Sequence, residues 1–154
     1  MTGLTILAAA APFAVAAASE AEAEPDCFDA AVSASIVRQV PTLHPDCGKD
    51  CIIMSWPWFV ELDVDRVEEG EAPTGRLTVL TVQHTYYVRD LGVRRWWLRR
   101  NGLGGFNMLR LGARPRPSRC AKGTPPARPF IRPGPGRTLR ELMREGEAVC
   151  GPGR

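Results

Sequence analysis

Histidine is scarce in this sequence, and no long apolar run occurs after its first 18 residues. With two histidines in 154 residues, the chain has few side chains that act as bases near neutral pH. It also lacks the Gly-x-Ser-x-Gly, His-Glu-x-x-His and phosphate-binding glycine-rich motifs. We therefore expect a protein that is not an enzyme and has no cofactor. The lack of further apolar segments of about 18 residues excludes a multi-span membrane protein.

The chain opens with an apolar, alanine-rich segment. Residues 4–18 carry no charge, and acidic side chains begin at Glu20. Ala16 and Ala18 place small residues at the −3 and −1 positions of a cleavage site. The pattern predicts a signal peptide over residues 1–18, a periplasmic or secreted protein, and no transmembrane span after its removal. An uncleaved anchor and an alanine-rich cytosolic helix are the alternatives.

Five cysteines in a small exported chain favour disulfide bonds. Cys47 and Cys51 flank a turn-rich Gly-Lys-Asp segment, so we expect them to form one bridge. A second bridge, between Cys120 and Cys150, would tie the tail to the body of the protein. Cys27 is then either free or in competition with Cys150 for Cys120, because spacing alone does not determine connectivity.

A metal site is the alternative interpretation of the first cysteine pair. His44, Cys47 and Cys51 offer an imidazole and two thiolates at spacings that suit zinc or a soft copper ion. Asp46 and Asp50 are further candidate ligands, but only three good ligands are local, and a structural site would need a fourth from a distant part of the chain. An oxidising compartment favours the bridge, so no metal is assigned. The other histidine, His84, lies in a strand-like segment, and we expect it to be a hydrogen-bonded residue of a sheet.

Alternating apolar and polar residues, and runs rich in β-branched and aromatic residues, predict five strands. In the clearest of them Trp58, Val60, Leu62 and Val64 share one face, and acidic residues occupy the other. The predicted strands cover residues 31–40, 58–65, 76–88, 94–100 and 103–111.

The C-terminal part of the chain has a different character. Residues 112–137 are rich in proline and glycine and show no periodicity, so they predict an extended segment anchored by Phe130 and Ile131. Thr138 and Glu141 have the spacing of a capping box, which predicts the start of a short helix. We expect Gly146 to end that helix.

These elements predict a mainly β fold, a small antiparallel barrel of five to six strands with a short C-terminal helix. An immunoglobulin-like sandwich is the alternative. Residues 27–111 resemble OB-fold-like barrels of the netrin-module or metalloproteinase-inhibitor type, in which a cysteine (here Cys27) precedes a strand of small residues and a Val-x-x-G step (here Val67–Gly70) leads to the next strand. The Cys-x-Cys start of those inhibitors is absent, so protease inhibition is not implied. The expected organisation is a signal peptide (1–18), an arm (19–29), a barrel (30–111) and an extension (112–154).

Charge is distributed unevenly along the chain. Residues 19–85 contain 4 basic and 13 acidic side chains, whereas residues 86–154 contain 16 basic and 4 acidic ones. The net charge of +3 therefore conceals halves of −9 and +12. Eighteen of the 20 cations are arginines, which favour the recognition of carboxylate or phosphate. Pairing between the two halves is the alternative.

Asn101-Gly102 predicts a two-residue hairpin turn. Such a turn sets Trp97 opposite Phe106, with Arg95 and Arg99 on the same side. Arginine beside aromatic rings suits an anion, so these four residues form the predicted anionic-partner face. In the alternative interpretation, Phe130 and its neighbour cover this side as a second packed layer. The opposite side, the expected core, contains Trp96, Leu98, Leu103 and Leu109.

The sequence thus predicts an exported β-barrel binding or interaction module. Its expected partner is an anionic lipid, an acidic polysaccharide or an acidic envelope protein that meets Arg95, Trp97, Arg99 and Phe106. Nucleic acid is not expected after export. The alternative is a structural accessory domain that docks on another envelope protein through its extension. Binding through arginine weakens at high ionic strength and apolar docking does not, so salt distinguishes the two.

Overall fold

The structure is a computed structural model that describes residues 26–43, 54–87, 91–109 and 116–150, with only the backbone of Cys150. The described residues form seven strands and one C-terminal helix, and the fold is mainly β, as the sequence predicts. In chain order the elements are β1 (Cys27–Phe28), β2 (Ala30–Pro41), β3 (Trp56–Glu69), β4 (Gly75–Gln83), β5 (Arg94–Arg100), β6 (Phe106–Met108), β7 (Ser118–Arg119) and α1 (Leu139–Cys150).

Five of the strands close into a barrel in the order β2-β3-β4-β6-β5, and β5 pairs with β2 to complete the ring. Neighbours run antiparallel except for β4 and β6, which are parallel at Leu80 and Asn107. The predicted small barrel is confirmed, and it is compatible with the OB-like type. The purely antiparallel arrangement is wrong, because a closed ring with an odd number of strands cannot reverse direction at every contact.

The barrel core follows from the alternation in β2, β3 and β5. Val60, Leu62 and Val64 are buried on the inner face of β3, as their spacing predicts. From β2 the core receives Ala30, Val32 and Ala34, and the β5 residue that pairs with Val32 is Trp96. The Trp96 Nε1 donates a hydrogen bond of 2.9 Å to the carbonyl oxygen of Ala34. The largest side chain of the barrel core cluster is therefore both packed and hydrogen-bonded.

Gly70, which ends the Val-x-x-G step, directly follows β3 and lies against Asp29, the residue before β2. Its φ of 73° is in the left-handed region, which glycine adopts without strain. A Cβ at this position would overlap the carbonyl oxygen of Asp29, the residue between β1 and β2. Glycine is thus required here by the backbone angle and by the close approach of two chain segments.

Helix α1 begins with the predicted capping box. Glu141 Oε2 accepts a hydrogen bond of 2.7 Å from the Thr138 backbone, and the Thr138 Oγ1 accepts one of 3.2 Å from the Glu141 backbone. The expected end at Gly146 is wrong, since the helix continues to Cys150. A Cβ at Gly146 would overlap the carbonyl oxygen of Pro41, so this glycine allows the helix to pack closely on β2.

A second apolar cluster lies outside the barrel, beneath the helix. Val40, Phe59, Leu80 and Ile131 are buried there, and Leu139, Leu142 and Met143 of α1 pack against them. Of the expected anchor pair, Ile131 is buried and Phe130 is exposed. The extension therefore packs on its own barrel through one of the two residues.

A disulfide joins Cys27 to Cys120, 93 residues apart in the sequence. The parallel pairing of β1 with β7 brings their Cα atoms to 4.9 Å, within bridging range. The prediction that Cys120 forms a disulfide is confirmed. The prediction that its partner is Cys150 is wrong, because Cys120 is bonded to Cys27. A disulfide is consistent with an oxidising, extracytoplasmic compartment.

The hairpin between β5 and β6 differs from the predicted two-residue turn. Arg100 pairs with Phe106, and five residues from Asn101 to Gly105 form the connection. The predicted register is wrong because the Asn101 side chain shapes a longer loop, in which its Oδ1 accepts hydrogen bonds from the backbones of Leu103 and Gly105. As a result Met108 joins the core with Phe106, and Leu103 is exposed.

Several predicted features lie outside the described residues. They are the signal peptide at residues 1–18 with its cleavage after Ala18, and the turn that carries His44, Cys47 and Cys51. The side chain of Cys150 is outside them as well.

Candidate functional site

The structure separates the four residues of the predicted anionic-partner face. Arg95, Trp97 and Arg99 alternate along β5 on the side away from the barrel core. Phe106 lies on the other side, in the core cluster with Trp96. The arginine that lies over the Phe106 ring, at 5.8 Å from its centroid, is Arg100 rather than either arginine of the predicted face.

Acidic residues of the N-terminal half surround the arginines of this face. The Arg95 Nε lies 3.0 Å from a carboxylate oxygen of Glu68, and its terminal nitrogen pairs with Glu69. Arg99 pairs with Asp29 at 2.6 Å, and 4% of its side chain is exposed. For Arg95 and Arg99, the alternative interpretation is therefore correct: these basic residues form ion pairs with acidic residues of the N-terminal half of the chain.

The Glu68 carboxylate is held in its charged form by its neighbours. The Ser33 hydroxyl donates a hydrogen bond to it, Arg66 donates another, and the positive charge of Arg95 adds to the effect. Together they lower the pKa of Glu68 below its ordinary value. Glu68 therefore stays ionised, and keeps Arg95 paired, to a lower pH than an ordinary glutamate would.

The small sheet of β1 and β7 supplies the cover on this side of the barrel. Phe28 of β1 is fully buried, and Arg116, next to β7, lies over its ring at 5.8 Å while it pairs with Glu69. The Arg99 guanidinium also donates to the carbonyl oxygen of Pro125 in the extension. The layer over β5 is thus formed by these segments, whereas Ile131 packs beneath the helix.

Two buried asparagines fasten the extension to the barrel. Asn101 Nδ2 donates to Asn107 Oδ1 at 3.2 Å, and Asn107 Nδ2 donates to the Arg128 carbonyl oxygen at 2.8 Å. The backbone of Phe130 donates to the same Asn107 oxygen. Asn101 also pairs with Ala127 in an isolated parallel bridge. The extension is therefore held at fixed points along its length.

No metal site is present among the described residues, where no three His, Cys, Asp or Glu side chains converge. His84 is exposed just after β4, and its Nδ1 forms a hydrogen bond with the carbonyl oxygen of Met54. The predicted hydrogen bond of His84 is therefore present, although the residue lies beyond the end of the strand.

Between the helix and the barrel is a groove of about 230 Å³. The sheet side is formed by Phe59, Thr78 and Leu80, the helix side by Leu139, Arg140 and Met143, and the loop side by Asn101, Gly105 and Phe106. Among the described residues that line the groove, most are apolar and Arg140 is the one with an ionisable side chain. We name this space the helix groove.

Three exposed cations of the extension differ from Arg95 and Arg99 on β5, which are paired. Arg119, Lys122 and Arg132 form no ion pair with any residue that the structure describes. Eight other described arginines do pair with described acidic residues: Arg38, Arg66, Arg76, Arg95, Arg99, Arg100, Arg116 and Arg137. We name Arg119, Lys122 and Arg132 the extension cations.

One signal in the sequence marks these cations. No aspartate or glutamate occurs between Asp90 and Glu141, so the whole extension up to the helix lacks local acidic partners. The helix groove has no comparable signal, because β4, the loop after β5 and the helix meet only in the folded protein.

Comparison with protein-family models, with curated proteins and with solved structures gives no match. Within the described ranges, no helix combines the length and the apolar character needed to cross a membrane.

Proposed function

We propose that this protein is an exported interaction module that binds an acidic polysaccharide through the extension cations. The observation that carries the proposal is the contrast in pairing. Acidic neighbours already neutralise Arg95 and Arg99, whereas Arg119, Lys122 and Arg132 are exposed without ion pairs in the described structure. Charge that is not paired internally remains available to an external anion.

The form of the extension suits an elongated polyanion. Its proline- and glycine-rich backbone is held to the barrel by the Cys27–Cys120 bridge and by Asn107, so its cations are displayed on a fixed support. A pre-ordered segment loses less conformational entropy on binding than a free one. Cations spread along a segment can contact successive carboxylates of one polymer, and this favours a polysaccharide over a compact anion.

The test measures binding to polygalacturonate, a polymer of uronic acids, with neutral dextran as the reference polymer. A triple variant, Arg119→Gln, Lys122→Gln and Arg132→Gln, should weaken binding about tenfold or more at low salt. The matched control removes three arginines that are exposed but paired, Arg66, Arg76 and Arg100, and should weaken binding far less. Raising the salt concentration should weaken binding to the unmodified protein.

Equal losses in the two triple variants would show that only net charge matters, and the assignment to the extension would then be wrong. Tighter binding to phosphatidylglycerol vesicles than to polygalacturonate would point to a lipid partner instead. Salt-independent binding to another envelope protein would support the accessory-domain alternative.

A further inference from the structure

The helix groove is a second potential binding site, distinct from the extension cations. We propose that it binds the acyl chain of a medium-chain fatty acid, with the carboxylate held by Arg140. The apolar lining of the groove, its volume and the position of Arg140 support this ligand independently of polysaccharide binding.

The groove exists because the two ends of α1 sit differently on the barrel. Near the C-terminal end, Gly146 brings the helix backbone against Pro41 of β2. At the N-terminal end, the groove opens between the helix, Thr78 of β4 and the loop after β5, and Leu139 and Met143 are only partly buried. Apolar side chains on facing walls, left partly exposed to water, favour an apolar occupant.

The volume sets the size of that occupant. A space of about 230 Å³ corresponds to about eight water-sized units of 30 Å³ each, and a methylene group is of similar size. A chain of about eight to ten carbons therefore fits, and a long-chain lipid would extend well beyond the groove.

Arg140 determines the polar end of the ligand. It is exposed at the edge of the groove and forms no ion pair with the residues described. The neighbouring Glu141 is held by Thr138 in the capping box, and the charges that lower its pKa are those of Arg137 and Arg144, not of Arg140. None of the described residues that line the groove is acidic. Its charge is therefore complementary to a carboxylate.

The experiment titrates the full chain with decanoate and, as a neutral counterpart of equal length, decanol. The unmodified protein should bind decanoate more tightly than decanol. Arg140→Gln should weaken decanoate binding about tenfold, the expected size for loss of one charged hydrogen bond, and leave decanol binding unchanged. Thr78→Trp, which fills the sheet side of the groove, should weaken both ligands. Arg144→Gln removes the same charge from another position on the helix and is the control.

Amide NMR shifts on the unmodified protein provide an independent readout. Decanoate should move the signals of Gly105 and Leu139 and leave those of Arg119 and Lys122 in place. Equal affinities for decanoate and decanol, shifts away from the groove, or undiminished binding by Thr78→Trp would each overturn the proposal. Because Arg119, Lys122 and Arg132 are intact in these variants, the result is separate from the polysaccharide test.

Discussion

Arg99 belongs to the predicted anionic-partner face, but its contacts with neighbouring residues make its charge inaccessible to a ligand. Its guanidinium lies between the Asp29 carboxylate and the Pro125 carbonyl oxygen, and almost none of it is exposed. A ligand could reach this charge only by displacing both partners. Arg99 therefore holds β5, the start of β2 and the extension together, and its position in the alternating pattern of β5 does not reveal this role.

Arg99→Gln should destabilise the protein by about 3 kcal/mol, since it leaves the partly buried Asp29 carboxylate without its cation. Chemical denaturation measures this change. Arg66→Gln is the control, because Arg66 is paired but exposed and should change the stability by less than about 0.5 kcal/mol. If the two variants were equally stable, Arg99 would have no structural role of this kind.

A second single residue, Ser33, affects the pKa of Glu68. Because the Ser33 hydroxyl makes the largest contribution to the lowered pKa of Glu68, Ser33→Ala should raise that pKa toward its ordinary value. A pH titration of the carboxyl carbon by NMR measures the shift, with Glu141 as an internal reference that should not move. An unchanged Glu68 pKa would contradict the assignment.

The pH dependence of stability follows in sign from the lowered pKa. A carboxyl group whose pKa is lower in the folded state stabilises that state at any pH above its pKa in the unfolded chain. This contribution is lost as the pH falls through the pKa of the folded state. The contribution of Glu68 should therefore be complete near neutral pH and decline below about pH 4.5, the ordinary value for glutamate. Ser33→Ala should reduce this acid-side decline.

At the scale of elements, Gly146 reverses a common expectation for helices. In an exposed helix, replacing glycine with alanine stabilises by about 1 kcal/mol. In this protein a methyl group at Gly146 would overlap the Pro41 carbonyl oxygen, so close packing against β2 outweighs helix propensity.

Gly146→Ala should therefore destabilise the protein, on the order of 1 to 3 kcal/mol as for an overpacked core position. Thermal unfolding measures the effect. Arg144→Ala, an exposed substitution on the same helix, is the control and should be nearly neutral. A stabilised Gly146→Ala variant would mean that the helix does not rest on Pro41.

The sequence predicts well those elements that are determined by residues close together in the chain. The inward face of β3, from Trp58 to Val64, and the capping box at Thr138 depend on residues a few positions apart. For the hairpin after Arg100 the sequence predicts the wrong register, because Asn101 suits a longer loop as well as it suits a two-residue turn. Its bond to Asn107 and the contact of Asn107 with Arg128 exist only after the extension has returned to the barrel.

At the scale of the whole molecule, contacts distant in sequence determine what the sequence could not predict. The parallel pair β4–β6 follows from closing five strands into a ring, and the helix groove from the meeting of three distant segments. Cys27 and Cys150 were both possible partners for Cys120, and the pairing of β1 with β7 selects Cys27. The strand pairing, the groove and the disulfide partner are not reflected in any periodic pattern of the sequence.

The Cys27–Cys120 bridge should be the strongest single contribution at this scale. Replacing both cysteines with alanine should lower the free energy of unfolding by on the order of 3 kcal/mol, because the bridge restricts a long loop in the unfolded chain. Urea denaturation under non-reducing conditions measures the loss. Cys150→Ala, which leaves this bridge intact, is the control. An unchanged midpoint in the double variant would contradict the pairing.

The closed ring also imposes an order in time on the folding of this chain. The barrel is incomplete until Phe106–Met108 can pair with both β4 and β5, and the bridge waits for Cys120. A chain that emerges N-terminus first, from a ribosome or through a translocation channel, must therefore deliver more than a hundred residues before its ring can close. Until then the edge of β4 that pairs with β6 has no partner, and the ring is open.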